Sequence, residues 1–190
     1  LKKLATKATA KFGPPENRVG ALAELRKLGT PDALGVMLQR FTVRVDPTIT
    51  DDEEKQYVFE SVVEAGEKAV EPVKKFIEKT EQPTWGLRIL DELLDESELI
   101  GVVLAVLEKE GPEYTRDPEK KITLIRYLEG RTHADIGTKL VPFLEDPSED
   151  VRSATVEVLA RLADEATREP LIATLLRAHA DNSERLKRLA

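Results

Sequence analysis

The strongest constraint on this chain is recurring punctuation. Helix-start chemistry stands at Pro14-Pro15-Glu16, Thr50-Asp51-Asp52-Glu53, Gln82-Pro83, Asp117-Pro118-Glu119, Asp146-Pro147-Ser148-Glu149 and Asp181-Asn182-Ser183-Glu184. The spacing is about 29–35 residues, within the range of helical repeat arrays. At such starts an Asp or Thr oxygen accepts from the free amides of the first turn. Proline suits the first helical position, and a following Glu can return the bond.

Apolar residues after each start fall at helical spacing, not at the alternation of a strand. The first helices carry Val19-Leu22-Leu25-Leu28, Val58-Val62-Val63, Leu87-Leu90-Leu93-Leu94, Ile122-Ile125-Leu128 and Val151-Ala154-Val158-Leu159-Leu162. Breaks follow at Gly29-Thr30, Ala65-Gly66, Asp95, Gly130 and Ala163-Asp164. Second stripes then return: Leu34-Leu38-Phe41, Val70-Val73-Ile77, Ile100-Val103-Leu107, Ile136-Leu140-Leu144 and Leu171-Leu175. Short breaks force the helices of a pair to lie antiparallel, and stacking pairs buries what one pair leaves exposed.

The expectation is an all-α chain, an α-α superhelix of about five antiparallel helix pairs in one domain over 1–190. The pairs are 13–45, 46–80, 81–112, 113–145 and 146–180. A leading helix covers 1–12, and 181–190 begins a further repeat.

Composition suits a thin structure. Hydrophobic residues are 41% of the 190, charged residues 34% and aromatics 5%. Unbranched side chains dominate, which favours helix. There is no cysteine, so thiolate catalysis and Cys-ligated metal sites are excluded. Absence of cysteine suits a reducing compartment, and a cytoplasmic location is expected. No apolar run approaches the roughly 20 residues of a membrane span. The chain begins at Leu1 without Met, so its natural start is expected upstream, and a removed leader remains an alternative.

Net charge is −7 and uneven. Residues 1–45 hold nine Lys or Arg against three acids, which leaves −13 for the rest. An acidic body gives no strong nucleic-acid signal, because duplex binding depends on neutralising phosphates.

The run Leu140-Val141-Pro142-Phe143-Leu144-Glu145-Asp146-Pro147-Ser148-Glu149-Asp150-Val151-Arg152-Ser153-Ala154 resembles a HEAT repeat. It holds the end of one inner helix, an Asp-Pro corner and the Val-Arg-x-Ala of the next outer helix. Leu87-Arg88 stands at the same offset from Pro83. After Pro118 the apolar Ile122 is kept, but Thr123 replaces the Arg. The Thr50 repeat has no clean Val-Arg pair. The resemblance implies a HEAT-type α-solenoid, mostly scaffolds and adaptors binding partners on a concave face lined by second helices. A minority of such proteins are DNA glycosylases or bilin lyase subunits, and no residue set here matches them.

On that implied face stand Arg40, Lys74, Lys75 and Lys139, read as exposed cations for a protein or an acidic peptide. Trp85 is either an interface anchor or a shield for the corner before Leu87-Arg88. No catalytic residue, cofactor site or metal site is assigned. Asp91, Glu92, Asp95 and Glu96 read as a solvated face, since no Ca²⁺-binding loop accompanies them. His133 and His179 stand alone, and His133 is placed to cap a corner.

Residues 1–12 form a basic amphipathic segment, with Leu1, Leu4, Ala8 and Phe12 on one side and Lys2, Lys3, Lys7 and Lys11 elsewhere. An end cap, an anionic membrane and an acidic partner are its three readings. Phe41–Pro47 lengthens the first inter-repeat connection, for recognition or for packing. Pro142 is expected to kink its helix.

The expected function is a non-catalytic protein-interaction scaffold. The alternative is an enzyme or enzyme subunit on the same stack. A third reading is a regulatory segment of a larger protein.

Overall fold

A computed structural model describes the backbone of residues 1–180 and the side chains of residues 1–177. The expected repeat at 181–190 and the His179 side chain lie outside the described residues. Within them the fold is all-helical, with no strand. The chain divides into two compact units, Leu1–Glu96 and a second beginning at Ser97. The two helices of the third expected pair therefore belong mainly to different units.

The first unit holds α1 (Lys2–Ala8), α2 (Pro15–Leu28), α3 (Pro31–Leu38), α4 (Thr48–Glu64), α5 (Glu67–Lys79) and α6 (Thr84–Leu93). A 3-10 segment, Gln39–Thr42, continues α3. The first helices touch in order, α2 to α4 and α4 to α6, while α3 touches α5. Helix α2 also meets α3, and α5 meets α6. Leu22, Leu25, Leu34, Met37, Leu38, Val58, Val62, Val73, Ile77 and Leu90 are all buried between these helices.

The second unit holds α7 (Glu96–Glu110), which begins one residue before it, α8 (Glu119–Tyr127), α9 (Ile136–Leu140), α10 (Glu149–Leu162) and α11 (Glu165–Ala180). A 3-10 segment, Val141–Glu145, continues α9. Helix α10 packs on α8, α9, α11 and that segment. Ile122, Ile125, Leu140, Leu144, Val151 and Leu159 form its core.

Chain reversals follow local chemistry. Gly29 (φ +55°), Gly66 (φ +62°) and Gly130 (φ +75°) take a positive φ, which glycine adopts without steric cost. Ala163 takes it too, at φ +52°, closing α10. The expected capping boxes are largely replaced. Among the described residues side chains accept from first-turn amides at three starts: Ala33 N donates to Thr30 Oγ1 at 3.3 Å in α3, Glu119 N to Asp117 Oδ1 at 3.1 Å in α8, and Ala166 N to Asp164 Oδ1 at 3.0 Å in α11.

Several expectations shift. Helix α4 begins at Thr48, not at Thr50-Asp51. The buried face of α2 runs through Arg18, Ala21, Leu22 and Leu25, while Val19 and Leu28 are half exposed. The leading helix stops at Ala8 and leaves Phe12 outside it. At Pro142 the α-helix does not kink but ends, and a 3-10 turn takes over with proline in its first turn, where no N–H is needed.

Helix α6 approaches α5 closely at Gly86. A Cβ there would lie 2.5 Å from Ile77 Cγ1, and Ile77 is itself fully buried. Gly86→Ala is therefore expected to destabilise the first unit by about 1–3 kcal/mol, the usual cost of overpacking. Urea unfolding followed by circular dichroism measures it, and an unshifted midpoint would count against this contact.

Candidate functional site

The first unit is organised by a buried ion network where the first pair meets the second. Glu54 of α4 accepts from Arg18 Nε at 3.0 Å and from Arg40 Nε at 2.8 Å. Arg40 Nη2 donates to Asp51 Oδ1 at 2.7 Å, and its Nη1 donates to the Val43 carbonyl at 2.8 Å. Asp51 also accepts from Val45 N at 3.1 Å and Lys55 Nζ at 2.7 Å. Arg18, Arg40, Asp51 and Glu54 are each no more than 4% exposed.

This network accounts for the Phe41–Pro47 connection. Phe41 and Val45 are buried, and Arg40 and Asp51 hold the backbone between them. The segment serves local packing. It also corrects the reading of Arg40 as an exposed cation. Arg40 stands in the second position of the 3-10 segment, about one turn after the buried Met37 of α3, and follows it into the interior. Burial pushes the Asp51 carboxyl up, but bonds from Lys55, Arg40 and the Val45 amide outweigh that and hold it below the usual carboxylate range.

The second unit has its own buried pair. Lys121 Nζ lies 2.8 Å from Asp146 Oδ2 and 2.5 Å from the Glu113 carbonyl. Asp146 Oδ1 accepts from Ser148 N at 2.8 Å, and Arg152 Nη1 donates to the Asp146 carbonyl at 2.7 Å. The Asp-Pro corner of the resemblance is thus pinned by cations from α8 and α10.

Trp85 is half-buried. Its ring stacks on Phe41 at 4.8 Å, and Arg88 lies 4.4 Å from its centroid. Phe59 and Phe76 extend the cluster. The ring thus packs against the first unit at the corner before Leu87-Arg88. One edge of Trp85 also borders a cleft of 490 Å³ lined by Asp52, Glu53, Gln56, Tyr57 and Glu60. Both aromatic rings there already carry a guanidinium, since Arg26 lies 5.4 Å over Tyr57.

A second groove, of 320 Å³, lies between α3 with its 3-10 extension and α5. Gly35, Gln39 and Thr42 form one side. Pro72, Lys75, Phe76, Lys79 and Thr80 form the other. Its lining has two lysines and no carboxylate. Lys75 and Lys79 are exposed, one helical turn apart, and neither makes an ion pair among the described residues.

The predicted cations thus separate. Lys75 lines this groove. Lys74 sits beside it on α5 and pairs with Glu71 at 3.1 Å. Lys139 belongs to the second unit and pairs with Glu108 at 2.7 Å. Lys79 was not among the predicted residues, although its i, i+4 spacing from Lys75 is visible in the sequence. Asp91, Glu92, Asp95 and Glu96 are exposed, and among the described residues no three His, Asp or Glu are placed to hold a metal. His133 Nδ1 accepts from Asp135 N at 3.2 Å at its corner. No protein-family model, curated protein or solved structure matches the chain.

Two outcomes follow from the network. Arg40→Ala leaves buried carboxylates short of a partner and should cost about 3–5 kcal/mol, read from urea unfolding. A loss well under that range would mean solvent reaches Asp51 and Glu54. The lowered Asp51 carboxyl stabilises the fold above its unfolded value, near 3.9, and that contribution is lost as pH falls through the folded value. Stability of the native chain should therefore drop below about pH 4, and Asp51→Asn should flatten that drop while lowering stability at neutral pH.

Proposed function

We propose that this chain is a non-catalytic protein-binding scaffold, a HEAT-type α-solenoid that takes an acidic peptide segment along the α3–α5 groove. The ordered contacts of α2, α4 and α6, with α3 against α5, support the stacked architecture. The observation that carries the binding reading is the pairing state of the lysines. Among the described residues Lys75 and Lys79 have no counter-ion, although the chain as a whole carries −7. A groove without carboxylates, in an otherwise acidic chain, attracts acidic segments by local potential.

The groove offers more than charge. Phe76 and Pro72 give an apolar floor, and Gln39, Thr42 and Thr80 border it with polar groups. A peptide lying there would set acidic side chains against the lysines and a small apolar residue against Phe76. Exposed ion pairs contribute modestly, about 0.2–1 kcal/mol each, so affinity would come from several such contacts together. The larger acidic cleft beside Trp85 competes poorly as a binding site, because Arg26 and Arg88 already occupy its aromatic rings.

The test is fluorescence anisotropy with a labelled glutamate-rich peptide. Replacing Lys75 and Lys79 together by Glu should weaken binding about tenfold or more, since each reversal turns an attraction into a repulsion. Lys74→Glu and Lys139→Glu should weaken it less, because Glu71 and Glu108 already neutralise those cations. Equal affinity for the Lys75/Lys79 variant and the native chain would remove the groove from consideration.

A further inference from the structure

Helix α1 and the turn after it form a separate surface, independent of the scaffold reading. Ala8 is fully buried and Leu4 and Ala5 are half-buried, so α1 packs on the fold through that side. Successive helical residues turn by about 100°, which sets Lys3 farthest from Ala8, with Lys2 and Lys7 on its two flanks. Lys2, Lys3, Lys7 and Lys11 are all exposed, and none pairs with a carboxylate among the described residues. Residues 1–15 contain no acid, and Glu16 in the first turn of α2 is the nearest in sequence.

The turn is held at both ends. Arg18, locked by Glu54, donates from Nη1 to the Ala10 carbonyl at 3.3 Å. Gly13 takes φ +104°, which side chains resist, and Pro14 and Pro15 fix the exit into α2. Between these anchors Phe12 projects with 91% of its surface exposed, while Leu1 is 51% exposed. The α1 packing leaves this ring unused.

We propose that this surface binds an anionic lipid bilayer, with the lysines over the headgroups and Phe12 inserted at the headgroup–acyl boundary. A fluid anionic surface suits these features better than an acidic protein does. The lysines have no fixed acceptor geometry, and the ring projects from a turn rather than lining a pocket. Apolar insertion and delocalised charge attraction add together at such a surface. The acidic remainder of the chain opposes it weakly, since screening confines charge effects to about 8 Å at physiological salt.

The experiment is co-sedimentation of the full chain with phosphatidylcholine vesicles, with and without phosphatidylserine. Binding is expected with phosphatidylserine and not without it. Reversing Lys2, Lys3, Lys7 and Lys11 to Glu should lower partitioning roughly 100-fold or more, since each lysine adds to the attraction. Phe12→Ser should lower it about tenfold, as expected for loss of a buried phenyl. All five positions are exposed, so circular dichroism should show an unchanged fold. No sedimentation with phosphatidylserine vesicles at low salt overturns the proposal. So does binding that ignores Phe12→Ser and is reproduced by soluble polyglutamate, which would assign the lysines to an acidic macromolecule.

Discussion

The first unit depends on keeping Glu54 and Asp51 charged in its interior. A carboxylate removed from water is costly unless its lone pairs are filled, and two arginines and a lysine fill them here. The partners come from three places: Arg18 at the start of α2, Arg40 in the extension of α3, and the carboxylates in α4. None of these elements can leave without stranding a charge. The network therefore sets how α2, α3 and α4 meet, where apolar packing alone would tolerate sliding.

The second unit solves the same problem with other residues. Lys121 and Asp146 join the α8 region to the corner before α10, and the Glu113 carbonyl accepts a further hydrogen bond from the lysine. Lys120 pairs with Glu110 at 2.6 Å and is nearly as buried. A junction between helices in each unit is thus closed by ions as well as by apolar contact. A chain with 34% charged residues and few aromatics has limited apolar material for such corners, and buried pairs close them.

Much of the helical order was legible because it rests on local chemistry. Gly29, Gly66 and Gly130 mark reversals, and the stripes through Leu34-Leu38 and Ile122-Ile125 mark buried faces. The ion network was harder to see, yet it left a trace. Extending the Val58-Val62 stripe backward lands on Glu54 and Asp51, and extending Leu22-Leu25 backward lands on Arg18. Charges on an apolar stripe read as surface until their partners are known, and those partners stand up to 36 residues away. Arg40 was misread for the same reason, whereas Lys75 is exposed as expected.

The 3-10 extension of α3 has a consequence for chain length. Long connections between helices usually accept added or lost residues at little cost. Here the connection contains Arg40, whose aim is fixed by three residues per turn. One residue inserted between Gln39 and Arg40, inside the 3-10 segment, would rotate the guanidinium by about 120°, away from Asp51 and Glu54. The part of the first unit that looks most variable in length is the part where length is most tightly held.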